Sequence, residues 1–208
     1  LDRIGLWQRL DVHATPILDI RVADGNSRLF LHYDSAEVGA PALGYMLENR
    51  HIRAGIFAAL SERPNVRLVA PAEVVGLDTT SARARLQLAN GDSLSASLVV
   101  GADGRASRIR QLCDISTTGW SYRQTGIVCT VAHEKPHHNV AHEHFLPAGP
   151  FAILPLAGNR SSLVWTERAD LAPALLALPM DQFMRELEMR FSDFLGRLTR
   201  EGPVWSYP

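Results

Sequence analysis

The chain predicts a mixed α and β fold (α+β / α/β), and three observations carry that reading. Most of the apolar residues alternate with polar ones at the period of half-buried strands, as in PILDIRVADG and RARLQLANGD. Two longer segments, 45–60 and 180–198, instead repeat their apolar residues at helical spacing. Asp-Gly at 24–25, Asn-Gly at 90–91 and Gly-Asn at 158–159 stand between strand-like runs, where hairpin turns belong.

The elements follow in order. Ile4, Leu6, Trp7 and Leu10 line one face of a short helix. Residues 16–25 form a strand and turn, and 27–34 return as the second strand of a hairpin. Small residues at 35–44 make a loop. The helix at 45–60 gathers Ile52, Ile56, Ala59 and Leu60 on one side, and SERPN at 61–65 ends it. Two short strands are expected over 66–78. Residues 83–101 continue as an antiparallel meander whose last strand is SLVVG, followed by a tight turn and a short helix near 107–113. Strands then recur at 126–134, 141–147, 151–158 and 160–168. The helix of 180–198 places Phe183, Leu187, Phe191, Phe194 and Leu198 on one face, with Asp181 as its cap.

Composition excludes several classes. Of 208 residues, 46% are hydrophobic and 21% charged, which rules against disorder, and the net charge of −1 calls for no nucleic acid. Cys113 and Cys129 are too few for a disulfide framework and read as reduced thiols. No apolar run reaches the length of a membrane span, and LDRIGLWQRL mixes charges into its apolar positions, unlike a signal peptide. The chain starts without Met, in what reads as mid-helix, so a piece of a longer protein is expected.

His133, His137, His138, His142 and His144 crowd together with Glu134 and Glu143. His142 and His144, at strand spacing, share one side as a metal site requires. No Cys joins them and HEKPHHNV reads as a solvated loop, so no metal is expected. The G-x-S-x-G elbow, the P-loop and a complete G-x-G-x-x-G are all absent. Trp7, Phe57 and Phe191 read as core, and Trp165 as core with pocket lining as the alternative.

SLVVGADGRASRIRQL, residues 97–112, carries the most chemistry. Gly101 and Ala102 leave the backbone unshielded before Asp103, Gly104 permits a tight turn, and Ser107 stands where it caps the following helix. Arg110 reaches either back to the strand end or toward a phosphate. Read alone, the segment is equally a plain strand–turn–helix link and a turn that offers a carboxylate and helix-start N–H groups to a ligand.

These residues resemble the DG motif of the single-component flavoprotein aromatic hydroxylases, the group of para-hydroxybenzoate hydroxylase. An apolar strand precedes Asp103-Gly104, Ser107 follows three residues after the Gly, and Arg110 three after the Ser. ALGYMLENRHIRAGIFAAL is similar to a helix entry of the ubiquinone-biosynthesis branch, and GPFAILPLAGNRSSLVWTER to its substrate-sheet strands. Leu6-Trp7 followed by PILDIRVADG also matches the entry to that branch's substrate domain.

The resemblance implies a partial FAD-binding domain of the Rossmann-like, glutathione-reductase type over 43–113, with an antiparallel meander. It also implies a mixed β-sheet substrate domain from 10–42 and 114–208. Asp103, Gly104, Ser107, Arg110, Asn49 and, more weakly, Arg53 would contact the cofactor, and no side chain is named as catalytic. The N-terminal G-x-G-x-x-G and the C-terminal Gly-Asp motif of the family are absent from 1–208, so an internal fragment, inactive alone, is expected. The implied reaction uses FAD, NAD(P)H and O2 to hydroxylate a polyprenyl-phenol precursor of ubiquinone. The enzyme would be cytoplasmic, peripheral at the inner membrane, and able to join a ubiquinone-biosynthesis complex. A monooxygenase of a small soluble aromatic and a non-catalytic binding module are the alternatives.

Overall fold

The computed structural model describes every residue except Asn26, Arg28 and Ser81. Two compact units divide it: Leu1–Ala59 with Ser121–Pro208, and Leu60–Trp120.

In the first unit, short helical turns at Asp2–Ile4, Trp7–Leu10 (α1) and Asp11–His13 lead into the strands Thr15–Ile17 (β1) and Asp19–Asp24 (β2). Leu6 and Leu10 are buried as the helical spacing predicts, whereas Ile4 faces solvent. Strand Phe30–Asp34 (β3) returns antiparallel to β2. Arg28, within the expected return strand, lies outside the described residues, as does Asn26 beside the predicted turn. Gly44–Met46 (β4) pairs with β1, so helix Asn49–Ser61 (α2) starts four residues later than its apolar spacing suggests. A strand partner for Tyr45 outweighs its place in the helical pattern. Gly55 is the contact point of α2, because a Cβ there would lie 2.9 Å from Leu10 Cδ2. Phe57, expected in the core, is 46% exposed, since the buried side of α2 passes through Ile52 and Gly55 instead.

The second unit holds the meander Val74–Asp78 (β5), Ala84–Leu88 (β6) and Ser93–Ala96 (β7), and then helix Arg108–Leu112 (α3). Two expected strands are missing from it. Residues 66–69 and 98–100 have no partner strand among the described residues, and Leu98 and Val100 stay 76% and 75% exposed. Period-2 alternation signals a strand's side chains, but a strand forms only where a neighbour takes up its N–H and C=O groups.

Back in the first unit, Gln124–His133 (β8), Val140–Leu146 (β9), Gly149–Leu156 (β10) and Arg160–Arg168 (β11) follow. Helices Ala172–Leu176 (α4) and Met180–Phe191 (α5) precede strand Leu198–Tyr207 (β12). Seven strands form one mixed sheet in the order β12-β8-β11-β10-β9-β2-β3, antiparallel except for the parallel pair β2–β9. Its core face presents Ile127, Val131, Phe151, Ile153, Leu163 and Trp165, and α5 lays Phe183, Leu187 and Phe191 onto it. These three lie at i, i+4 and i+8, one stripe of a helix. Trp165 is 2% exposed and belongs to the core, with the Arg190 guanidinium 4.3 Å from its ring.

Three expectations for this end change. Helix α5 stops at Phe191 because Ser192 takes a positive φ of 60°, and Leu198 belongs to β12 instead. Asp181 makes no cap; Pro179 holds that place and Asp181 binds Arg185 at 2.9 Å. Strand β12 was unmarked in the sequence because Gly202-Pro203 interrupts it. The pairing with β8 shifts register between Glu201 and Trp205, an irregularity that accommodates such residues inside a strand.

Candidate functional site

The turn after β7 brings Asp103, Gly104, Ser107 and Arg110 together. Asp103 Oδ1 accepts the Ser107 hydroxyl at 2.5 Å, and Oδ2 accepts the backbone N–H groups of Arg108 at 2.6 Å and Ile109 at 3.1 Å. Ser107 Oγ in turn accepts the Arg110 N–H at 3.0 Å, the N-cap bond of α3. The Arg110 guanidinium donates to the Arg105 carbonyl at 2.8 Å and closes the turn. Gly104 has φ 85°, a conformation that favours glycine, and a Cβ built there would meet nothing within 4 Å. The Ser107 hydroxyl, followed by the backbone N–H groups, holds the Asp103 carboxyl below the usual range. The Asp103 carboxylate is therefore spent on the start of α3, and what the turn exposes is the backbone around Gly104.

A second cluster starts α2. Asn49 and Arg53, one helical turn apart, are exposed and engage no side chain among the described residues. Their neighbour Glu48 does the anchoring. Its carboxylate meets Arg160 of β11 at 3.2 Å and Arg50 at 2.8 Å, and Arg160 also binds Glu201 of β12 at 2.7 Å. Desolvation opposes ionisation of Glu48, but the Arg160 and Arg50 hydrogen bonds outweigh it and the carboxyl is held low. Arg160 projects from the sheet face opposite α5, so this network seats the first turn of α2 at that face. Of the Glu-Asn pair at 48–49, the resemblance singles out Asn49 alone; the anchoring role of Glu48 depends on the β11 register and leaves no sequence signal.

His133, His137 and His142 are held by neighbours within the fold. His133 donates from Nδ1 to the Lys135 carbonyl at 2.7 Å and accepts the Ser161 hydroxyl at Nε2, 3.1 Å away. His137 donates from Nε2 to the Leu156 carbonyl at 2.8 Å and accepts the Asn139 N–H at Nδ1. His142 packs against Phe194, ring centres 4.7 Å apart, and burial pushes it down to about 4. Among the described residues no three His, Cys, Asp or Glu side chains are arranged to hold a metal ion. Cys113 and Cys129 are both free, and burial pushes the Cys129 thiol up to about 11.

Each unit, taken by itself, leaves groups of the kind an FAD molecule uses. In the second unit the open-backed glycine turn offers main-chain groups; in the first, the Asn49 amide offers a donor and an acceptor and Arg53 a cation suited to a pyrophosphate.

Comparison with known proteins gives the family. The family described as FAD binding domain matches residues 1–174. The chain is 53% identical over 207 residues to ubiquinone hydroxylase UbiL of Rhodospirillum rubrum, covering 100% of this chain and 48% of that protein. It is 34% identical over 167 residues to the 3-demethoxyubiquinol 3-hydroxylase of Escherichia coli, covering 80% and 43%. Among solved structures, p-nitrophenol 4-monooxygenase PnpA of Pseudomonas putida superposes with a TM-score of 0.78 at 20% identity, covering 100% of this chain and 54% of that one. PqsL of Pseudomonas aeruginosa, a probable FAD-dependent monooxygenase, gives 0.79 at 17%, covering 97% and 59%. The chain spans about half the length of the curated relatives it matches. It belongs to the FAD binding domain family, and its likeness to the ubiquinone-biosynthesis hydroxylases, first read from the Asp103-Gly104 turn and the Glu48-Asn49 helix entry, holds along its length.

Proposed function

We propose that this chain is part of an FAD-dependent monooxygenase that hydroxylates the aromatic ring of a polyprenyl-phenol precursor of ubiquinone, with NAD(P)H as reductant and O2 as oxygen donor. The observation that carries the reading is the 53% identity to a ubiquinone hydroxylase across the whole chain. The domains assigned are 43–113 for the flavin and 10–42 with 114–208 for the substrate. Membership in a ubiquinone-biosynthesis complex and peripheral attachment at the inner membrane belong to the same proposal. No helix among the described residues is long and apolar enough to cross a membrane.

Bound FAD supplies reduction by NAD(P)H and activation of O2, chemistry that no side chain provides. The protein's residues divide the remaining work. Asn49 and Arg53 of α2, in the first unit, are cofactor contacts, and so, in the second, is the backbone at Gly104. Asp103, Ser107 and Arg110 keep that turn in shape by closing it on itself. The sheet face opposite α5 receives the ring, and its apolar residues keep water from the reacting atoms. A groove of about 410 Å³, lined mostly by apolar residues such as Val22, Leu29, Leu31 and Phe145 with Asp24 and Ser27 also at its wall, supports a prenylated rather than a small soluble substrate.

The test is turnover of the complete protein with a prenylated methoxyphenol, NAD(P)H and isotopically labelled O2, read by mass spectrometry. One labelled oxygen atom on the ring is the expected product. NAD(P)H consumption that releases only hydrogen peroxide, with every substrate offered, would count against it.

A further inference from the structure

Across the sheet face opposite α5, one cross-strand row is apolar at every strand but one. The register joins Trp205 to Val128, Val128 to Val164, Val164 to Ala152, Ala152 to Glu143, Glu143 to Val22 and Val22 to Leu31. The neighbours of Glu143 fix its direction. His142 pairs with Ile153 and His144 with Phe151, both on the α5 face, where His142 meets Phe194. Successive side chains on a strand alternate, so Glu143 projects to the other face.

Glu143 makes no hydrogen bond or ion pair among the described residues. It is half-buried, and desolvation raises its carboxyl above the ordinary range. A lone carboxylate between Ala152 and Val22 costs stability that a leucine at the same place would not, and nothing in the fold compensates it. Polar groups left unpaired in an apolar surface are what a ligand-orienting residue looks like before its ligand arrives.

We propose that Glu143 receives the ring hydroxyl of the aromatic substrate, with the ring lying flat on the apolar row and its O–H donating to the carboxylate. This rests on the aromatic-hydroxylase reading and adds the residue that orients the ring. As the ring is attacked its hydroxyl becomes more acidic. The O–H bond breaks, the proton passes to a Glu143 carboxylate oxygen, and the electron pair stays on the phenol oxygen. That pair raises electron density at the ring carbons ortho and para to it, where an electrophilic oxygen adds. A row with one acceptor and no second polar group selects a neutral ring that presents a single hydroxyl along this line. Toward β3 the row opens into the Val22–Leu31 groove, which suits an apolar substituent.

The experiment uses the complete protein loaded with FAD and two probes, a prenylated methoxyphenol and its O-methyl ether, with binding followed by the perturbation of flavin absorbance. The wild type is expected to bind the phenol at least about tenfold more tightly than the ether, the range of a hydrogen bond to a charged group. Glu143→Leu should bind both equally, and Glu143→Gln should keep part of the preference while turnover falls. Equal affinities in the wild type, or a preference that survives in Glu143→Leu with an unchanged circular dichroism spectrum, overturns the role of Glu143 and leaves the hydroxylase reading standing. If the wild type binds neither probe, both fall.

Discussion

Asp103 shows how one carboxylate can be both the signature of a motif and a part of the scaffold. The spacing Asp103, Gly104, Ser107, Arg110 was legible in the sequence, and the capping role of Ser107 with it. That both Asp103 oxygens turn inward was not, because the directions of three hydrogen bonds follow from the turn and not from spacing. Ser107→Ala removes a buried cap and should cost about 1 kcal/mol, measured by chemical denaturation. Asp103→Ala should speed hydrogen exchange at the amides of Arg108 and Ile109 while β8–β11 stay protected. With its carboxyl held low, the Asp103 contribution is present above the ordinary carboxylate range and is lost as the pH falls through the lowered value. His142 acts in another window. Burial first, then His144 and Arg21, lowers it from 6.5 to about 4, so at pH 5 it is neutral when folded and protonated when unfolded. Its contribution is full above about 6.5, declines as the pH falls to about 4, and is level below; the span is on the order of 3 kcal/mol. Urea midpoints at pH 7.5 and 5 should therefore differ by less in His142→Phe than in the wild type. Burial lowers His133 and His144 too, which keeps the variant's dependence from vanishing.

At the scale of elements, the stripe of α5 and the alternation of β8 and β11 were readable because each buries one face in a local pattern. Element ends were less so. Ser192 at φ 60° stops α5 before Phe194 and Leu198, and β12 runs through a Gly-Pro that reads as a turn. Residues 66–69 and 98–100 carry strand-like side chains without a described partner, so composition alone overstated them. The α5 stripe carries the largest predicted loss. Phe191 is fully buried between the sheet and Phe194, and Phe191→Ala should destabilise the first unit by about 3–5 kcal/mol in thermal or chemical unfolding. Arg160→Ala releases Glu48 from β11 and should raise exchange rates through the first turn of α2, around His51 and Ile52, with little effect at α5. The register that makes this link also assembled the Glu143 row, and no one-dimensional pattern contains either.

For the whole molecule, the chain carries a seven-stranded sheet with a helix on one face and, in its second unit, a meander that ends in a glycine turn. It spans about half the length of its curated relatives, and its family match runs through both units. Family, fold class and cofactor were legible because the motif residues are local in sequence; the sheet face opposite α5 was not, because seven strands from three parts of the chain build it. We propose that Asn49 and Arg53 hold FAD while Asp103 serves the turn. Equilibrium titration of FAD into the complete apoprotein tests it most directly, with flavin fluorescence as the readout. Asn49→Ala and Arg53→Ala are each expected to weaken FAD by several-fold to tenfold with unchanged unfolding curves, while Asp103→Asn should lose affinity only together with α3 protection. Wild-type affinity in both α2 variants, or loss in Asp103→Asn with α3 fully protected, would contradict it.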